Sequence, residues 1–281
     1  MRVSSLLTLA LLAGCAGCAT RLPDSPVAKK PDSLVAKKDD ATNGEAGQDV
    51  GKSLVELADD IEAHGSSETA LSLYRQAVAA SGNAPAANVR LGDAYLRVNK
   101  TAPAIEAYRA ALARDPDNAD AQLGLGAALA QQGTPEKGLP ALIKAAPRVD
   151  TGAAYNRLGV VQTMLGRFAD AEASFDKGRA IAPDDLDIAT NLALAAALAG
   201  ETDKAAGLAD EIAQSAAAEP RHRRNLVIVL GLIGRSGAEA RAVAPRELSQ
   251  RELDALLSRA GSIRGIADPK VRAKALGTMR G

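Results

Sequence analysis

The sequence predicts an all-α protein built from repeated helical hairpins, and two observations support that prediction. A leucine recurs at intervals of 33 or 34 residues through six units, and a period of this length is typical of a helical repeat array. The chain is 47% hydrophobic but only 2% aromatic, as close packing of alanine- and leucine-rich helices requires. It has no tryptophan and almost no strand-like alternation of apolar residues. The leucine column comprises Leu57, Leu91, Leu125, Leu158, Leu192 and Leu226.

A second column, eight residues after each leucine, suits residues that end a helix in the left-handed conformation. It comprises Gly65, Asn99, Gly133, Gly166, Gly200 and Gly234. We expect each leucine to face the partner helix of its own hairpin, and the glycine or asparagine to begin the turn between the two helices. Because a single hairpin cannot bury its apolar face alone, stacking of neighbouring units is expected to build the core.

The second helix of each hairpin carries a small residue where a large side chain would push the two helices apart. These residues are Ala70, Ala104, Gly138, Ala171 and Ala205. Four residues later, Tyr74, Tyr108 and Phe175 are predicted to fill the gap between neighbouring hairpins. Unit three departs most, because Gly138 replaces the alanine and Pro140 falls within the second helix. We expect that proline to remove a backbone hydrogen bond and weaken the helix.

Several columns agree at once with the tetratricopeptide repeat, which the chain resembles. The second unit shows the pattern as Leu91, Gly92, Tyr95, Ala104, Tyr108, Ala111 and Pro116. The resemblance implies a right-handed solenoid of about five to six repeats, with the first helix of each unit lining a concave groove. The expected units are 51–84, 85–118, 119–151, 152–185, 186–219 and 220–243. Residues 244–281 are expected to form a basic tail with one or two short helices, either folded over the last groove or disordered.

Residues 1–14 are predicted to be a signal peptide. The apolar run from Leu6 to Ala13 would rise only about 12 Å as a helix, which is too short to span a hydrocarbon core of about 30 Å. It leads into Leu12-Ala13-Gly14-Cys15, which resembles the lipobox of bacterial lipoproteins. The resemblance implies attachment of lipid, with acyl chains such as palmitate, at Cys15. Cys18 is the competing site, and an ordinary secretory signal that is cut nearby is the alternative.

Residues 15–50 are expected to form the lipidated cysteine and a disordered linker. The segment Val-Ala-Lys-Lys occurs at 27–30 and again at 35–38 among polar residues and prolines, and such a composition cannot bury enough apolar surface to fold. The residue after Cys15 is Ala16 rather than aspartate, which in bacterial lipoproteins favours export to the outer membrane. The array is therefore expected to face the periplasm from a lipid anchor.

The formal net charge is zero, so no global field attracts nucleic acid. The charge is nevertheless uneven: residues 15–219 hold 20 Lys and Arg against 29 Asp and Glu, whereas residues 220–281 hold 13 against 5. We find no catalytic motif and no phosphate-binding loop. With only His64, His222, Cys15 and Cys18, no metal-ligand spacing can be built. The sequence predicts a non-catalytic protein, without cofactor or metal, that binds protein or peptide partners.

The candidate peptide-binding site lies where Arg221-His222-Arg223-Arg224 opens a helix. Cations at a helix N-terminus oppose the macrodipole, and such a departure from a local rule marks a candidate site. With the groove positions that the repeat resemblance implies, the predicted site comprises Arg90, Arg157, Asn191, Leu194, Arg221, Arg224, Asn225 and Ile228. The expected ligand is an extended acidic or C-terminal peptide. The alternative is that the arginines pair with Glu219 or Asp187 along the array.

The stretch from Arg224 to Gly234, together with the lipobox, the repeats and the tail, is similar to the TadD-like lipoproteins of tight-adherence (Flp) pilus systems. That resemblance implies a periplasm-facing assembly factor at the outer membrane that acts with the pilus secretin. It implies no site residues. The alternatives are a pilotin or an envelope-biogenesis adaptor of another system, or a regulator of a cell-wall enzyme.

Overall fold

The computed structural model describes residues 42–277, and the secondary structure of this range is entirely helical. The predicted all-α fold is therefore confirmed. The fourteen helices are α1 (Thr42–Ala63), α2 (Ser67–Ala80), α3 (Pro85–Arg97), α4 (Thr101–Arg114), α5 (Ala119–Gln131), α6 (Pro135–Val149), α7 (Gly152–Met164), α8 (Phe168–Ile181), α9 (Leu186–Ala199), α10 (Thr202–Gln214), α11 (Pro220–Ile233), α12 (Gly237–Val243), α13 (Gln250–Arg264) and α14 (Pro269–Gly277). Within this range, no helix is both long and apolar enough to cross a bilayer.

The first twelve helices form six hairpins, each with a first helix (A: α1, α3, α5, α7, α9, α11) and a second helix (B: α2, α4, α6, α8, α10, α12). Each A helix contacts the A helices of the neighbouring units, whereas each B helix from α2 to α10 packs between its own A helix and the next one. Because the A helices of successive units lie closer to one another than the B helices do, the A helices line the inner face of the array.

The turn after each A helix has the conformation that the sequence predicts. The glycines of the second column adopt φ values between 67° and 94°, and Asn99 adopts 57°. Gly200 and Gly234 are the residues that cap α9 and α11. A side chain is strained in this left-handed conformation, and asparagine tolerates it better than most residues, which explains the composition of the column.

The leucine column does not face its own hairpin, and that prediction is wrong. Leu91 and three other members are at most 8% exposed, and Leu91 shares a cluster with Leu71 and Tyr74 of the preceding B helix. Leu57 is 47% exposed although α1 packs on its own partner, α2. The column therefore faces the preceding unit, which unit one does not have among the described residues.

Helix α1 begins at Thr42, so residues 42–50, predicted to lie in the linker, are helical. Two glycines account for the difference, because they let α1 approach the end of α2 closely. A Cβ on Gly47 would lie 2.6 Å from the Ala80 carbonyl oxygen, and one on Gly51 would lie 2.7 Å from the Ser81 Cβ. The predicted signal peptide, Cys15 and the rest of the linker lie outside the described residues.

The tail contains two helices that belong to the core. Helix α13 begins with a capping box, in which the Glu252 carboxylate accepts from the Ser249 N–H at 3.0 Å and the Ser249 hydroxyl accepts from the Glu252 N–H. Hydrogen bonds from Ser249 lower the pKa of Glu252. Helix α13 packs on α11, and α14 contacts α7 and α9. Because Leu253 and Leu276 are buried with the helices of units five and six, the described tail is folded over the array.

Candidate protein-interaction face

The inner face divides into a charged half and an apolar half. The division appears at the position two residues after each column leucine. This position is occupied by Asp59, Asp93, Ala127, Val160, Leu194 and Ile228. Acidic residues therefore stand in units one and two, and apolar residues stand in units four to six.

Asp59 and Asp93 accept hydrogen bonds from buried tyrosines of their own hairpins. The Tyr74 hydroxyl donates to Asp59 at 2.5 Å, and a carboxylate oxygen of Glu62 lies 3.1 Å from the same hydroxyl. The Tyr108 hydroxyl donates to Asp93 at 2.7 Å. Burial, with the nearby carboxylates, raises the pKa of both tyrosines far above the usual range, so both remain neutral donors. A buried phenol needs an acceptor, and the tyrosines consequently fix the two carboxylates in place.

Unit four agrees with this link between a tyrosine hydroxyl and an acid, because it lacks both. Phe175 has no hydroxyl, and the residue 15 positions before it is Val160. The same separation joins Asp59 to Tyr74 and Asp93 to Tyr108. An acid is therefore present where the B helix supplies a hydroxyl, and it is absent where the B helix supplies only a ring.

Arginines complete the charged half. The guanidinium of Arg90 lies 3.4 Å from Asp59, and that of Arg157 lies 3.5 Å from Asp93. Arg97 pairs with Glu62. The Arg157 pair connects unit four to unit two past α5, which lies between them in the array. These side chains are partly exposed, so each pair stabilises the fold by at most about 1 kcal/mol, and donors remain available to a ligand.

The predicted site in the C-terminal half is different from the expected open groove. Leu194 is only 3% exposed and belongs to the same core cluster as Ala273 and Leu276 of α14. Ile228 packs against this cluster as well. Arg224 is near enough to Glu252 of α13 to lower the pKa of that carboxyl. Leu194 is thus a core residue, because the tail covers this half.

The remaining predicted residues of that half make contacts within the array. Arg221 lies 3.3 Å from both Asp187 and Glu219, which is the pairing given above as the alternative. Asn191 donates to the side-chain oxygen of Asn156 at 2.9 Å. Asn225 is half-buried. Of the eight predicted residues, Arg90 and Arg157 are the two that lie in the charged half.

Sequence reasoning missed the role of His222, which is buried. Its Nδ1 accepts from the Glu219 N–H at 3.0 Å, and its Nε2 lies 2.9 Å from an Asp187 oxygen. Because Nδ1 accepts a backbone hydrogen bond, Nε2 carries the proton and donates to Asp187. His222 therefore caps α11 and ties it to α9. The spacing Glu219-x-x-His222 matches a reciprocal capping box with histidine in place of Glu or Gln. This spacing is the sequence signal from which the capping role of His222 could have been predicted.

Among the described residues, no group of three or more His, Cys, Asp and Glu side chains is arranged to hold a metal ion. The side chains that converge on the inner face are instead hydrogen-bond donors, acceptors and paired charges. Such a surface is suited to binding a polypeptide, whose backbone offers both donors and acceptors.

Comparison with known proteins agrees with this architecture. The sequence matches the tetratricopeptide repeat family over residues 89–154 and 165–220. The structure is similar to that of PilW, a widely conserved type IV pilus biogenesis factor, with a TM-score of 0.63 and 20% identity over 74% of this chain and 98% of PilW. It is also similar to TTC0263, a protein of Thermus thermophilus, with a TM-score of 0.56 and 22% identity over 64% and 98% of the two chains.

A third similar structure is PilF of Pseudomonas aeruginosa, with a TM-score of 0.53 and 19% identity over 83% of this chain and 99% of PilF. No curated protein sequence matches the chain. At these identities the similar structures establish the fold alone. Residues 89–154 and 165–220 match the tetratricopeptide repeat, and the chain has the all-α solenoid fold of tetratricopeptide-repeat proteins.

Proposed function

We propose that the protein is a non-catalytic scaffold that binds a polypeptide partner during assembly of a pilus, of the tight-adherence type, or of a related secretion apparatus. The observation that carries this proposal is the charged half of the inner face. Its carboxylates are held by buried tyrosines, and its arginines remain partly exposed. A rigid row of donors and acceptors reduces the entropy that is lost when a partner binds.

An extended segment of the partner fits this surface best. Its backbone carbonyl groups would accept hydrogen bonds from Arg90 and Arg157, and a carboxylate of the partner would meet the same guanidinium groups. The expected partners are the secretin or other pilus-assembly components. The similarity of the fold to PilW, a type IV pilus biogenesis factor, and to PilF supports this choice of system. So does the resemblance of residues 224–234 to TadD-like lipoproteins.

We also propose that the protein is anchored by lipid at Cys15 to the outer membrane and faces the periplasm. The support is the sequence Leu12-Ala13-Gly14-Cys15 followed by Ala16. A single acyl chain binds a bilayer only marginally, whereas two or more signals anchor stably. A cysteine that carries several acyl chains would therefore retain the array at the membrane.

Replacing Cys15 by alanine is expected to abolish palmitate labelling and to release the protein from the membrane fraction. The matched control is Cys18→Ala, which should keep both the label and the membrane association. Metabolic labelling followed by membrane flotation measures both. The assignment is wrong if Cys18→Ala loses the label and Cys15→Ala retains it.

Reversing the two predicted arginines of the charged half, in an Arg90→Glu and Arg157→Glu double variant, is expected to abolish surface pili. Each lost charge-assisted hydrogen bond weakens partner binding by about 10- to 150-fold. Because both side chains are partly exposed, the melting temperature should change little. Pili are counted by electron microscopy in the bacterium that encodes the chain.

The matched control for this variant reverses two exposed cations on B helices, Arg109→Glu with Lys144→Glu. Both side chains are about as exposed as those of the test pair or more so, but they lie away from the inner face. Cells with the control variant should keep normal pili. Normal pili in the Arg90 and Arg157 variant, at normal protein levels, would show that these arginines form only a solvated surface.

A further inference from the structure

Helix α1 carries an apolar stripe with two exposed side chains. The stripe comprises Val50, Leu54 and Leu57, which are separated by four and three residues. This alternation places all three on one side of a helix and is the spacing of a helix-packing seam. The next residue of the series, Ile61, packs against the core cluster of the first hairpins. Val50 is 53% exposed, and Leu57 is exposed to a similar extent. These two residues are among the few large apolar side chains that the described structure leaves exposed.

The rest of the array shows what this side of an A helix binds. The residues equivalent to Leu57 in units two, four, five and six are buried, and each of these A helices packs on the B helix of the preceding unit. In unit two, Leu91 packs in a cluster with Leu71 and Tyr74 of α2. The stripe on α1 is therefore a preformed interface for a B-type helix, and its position is vacant among the described residues.

The two ends of the array differ in whether another helix covers the terminal A helix. At the C-terminal end, α13 covers α11, and the buried side chains of Leu253 and Ala260 belong to the core. At the N-terminal end, α1 uses a different side for its own hairpin, on which Gly51 and the buried Ala58 lie. The stripe thus remains available after the hairpin has formed.

The acidic side chains beside the stripe determine which kind of helix would bind there. The stripe is flanked by Asp49, Glu56 and Asp60, which are exposed. Glu56 and Asp60 form no ion pair with any described residue, whereas Asp49 lies 3.6 Å from Lys52. Residues 46–63 hold five acidic side chains and one basic one. A second copy of α1 would bring the same negative charge, and an anionic lipid surface would be repelled, whereas a basic helix would be attracted.

We propose that the stripe on α1 is the docking site for a basic amphipathic helix of a partner protein, which packs there as an additional B helix. This site is separate from the charged half of the inner face. The affinity comes from burial of Leu57 and Val50 against the incoming helix. The acidic flank selects basic partners. The site therefore lets the scaffold bind a second segment, or a second protein, at its membrane-proximal end if Cys15 is lipidated.

A peptide with the sequence of residues 101–114 serves as the probe, because α4 is a B helix with one acidic and two basic side chains. In the structure it packs against α5, and Leu125, the α5 residue equivalent to Leu57, packs against the cluster that contains residues of α4. We expect the labelled peptide to bind the purified full chain, as measured by fluorescence anisotropy. Leu57→Glu should weaken binding about tenfold or more, the loss expected when a buried anchor is removed.

The matched control is Ile143→Glu, because Ile143 is 48% exposed on the B helix α6 and lies outside the stripe. It should bind the peptide as the wild type does. Since Leu57 is exposed, Leu57→Glu should keep the circular dichroism spectrum and melting temperature of the wild type. Glu56→Lys with Asp60→Lys should also weaken binding, and the effect should shrink at high salt.

Four results would overturn the proposal. Two concern the peptide: the wild-type chain does not bind it, or the Leu57→Glu variant binds it as well as the wild type does. The other two concern a different occupant: the chain self-associates in sedimentation, or it binds anionic phospholipid vesicles, and Leu57→Glu abolishes that association. The Arg90→Glu and Arg157→Glu variant should bind the peptide normally. Failure at the stripe is thereby distinguished from failure of the partner site on the inner face.

Discussion

Replacing Gly138 by alanine is expected to lower the free energy of unfolding by about 1–3 kcal/mol, the range for overpacking a closely packed site. A Cβ at this position would overlap the carbonyl oxygen of Gly126 and would lie 3.0 Å from its carbonyl carbon. A Cβ added to Gly126 would also be too close, because it would lie 2.9 Å from the Gly138 carbonyl oxygen. Both obstacles are backbone atoms, so no side chain can rotate to make room.

Gly207→Ala is the matched control, because Gly207 lies in the interior of α10 and a Cβ there would meet no atom within 4 Å. Alanine should stabilise that helix by about 0.5–1 kcal/mol. Because repeat arrays can unfold in stages, denaturant titration should be combined with hydrogen exchange. The loss of protection in Gly138→Ala should concentrate in α5 and α6. Equal stability of the two variants would contradict the close crossing of these helices.

The sequence predicts the array well because its signals are local and repeated. Leucine and turn-residue columns at a fixed period report which side of a helix is apolar and where the helix ends. In the sequence, Gly138 is notable because it departs from the alanine pattern of its column. Whether it leaves a gap or permits contact depends on the distance between two backbones. That distance depends on Gly126, twelve residues earlier, and the columns predict that small residues meet there without giving the distance between the backbones.

The candidate site was predicted less well, for two different reasons. The pairing of Asp59 with Tyr74 and of Asp93 with Tyr108 could be predicted, because a constant separation of 15 residues links each pair and the apolar Val160 stands 15 residues before Phe175. The burial of Leu194 under the tail could not be predicted from the sequence. It depends on apolar residues of α7 and α9 meeting a short helix about 80 or more residues later in the chain, and no periodicity connects the two.

Leu253→Ala is expected to lower the free energy of unfolding by about 2–5 kcal/mol, as truncation of a buried leucine does. Leu253 is 1% exposed and shares its cluster with Leu226 and Leu230 of α11. If α13 is part of the core, truncation leaves a cavity between the tail and the last complete hairpin. Hydrogen exchange should then show reduced protection in α11 as well as in α13.

Leu57→Ala provides the comparison, because the same side chain is removed from an exposed position and should change the free energy of unfolding by no more than about 0.5 kcal/mol. Both variants are measured by the same denaturant titration. A negligible effect of Leu253→Ala would mean that α13 is not held against α11 in solution. The side of α11 that packs on α13 would then be open, whereas Leu194 would stay covered as long as α14 keeps its contact with α9. The stability of each tail helix therefore decides which part of the array a partner can reach.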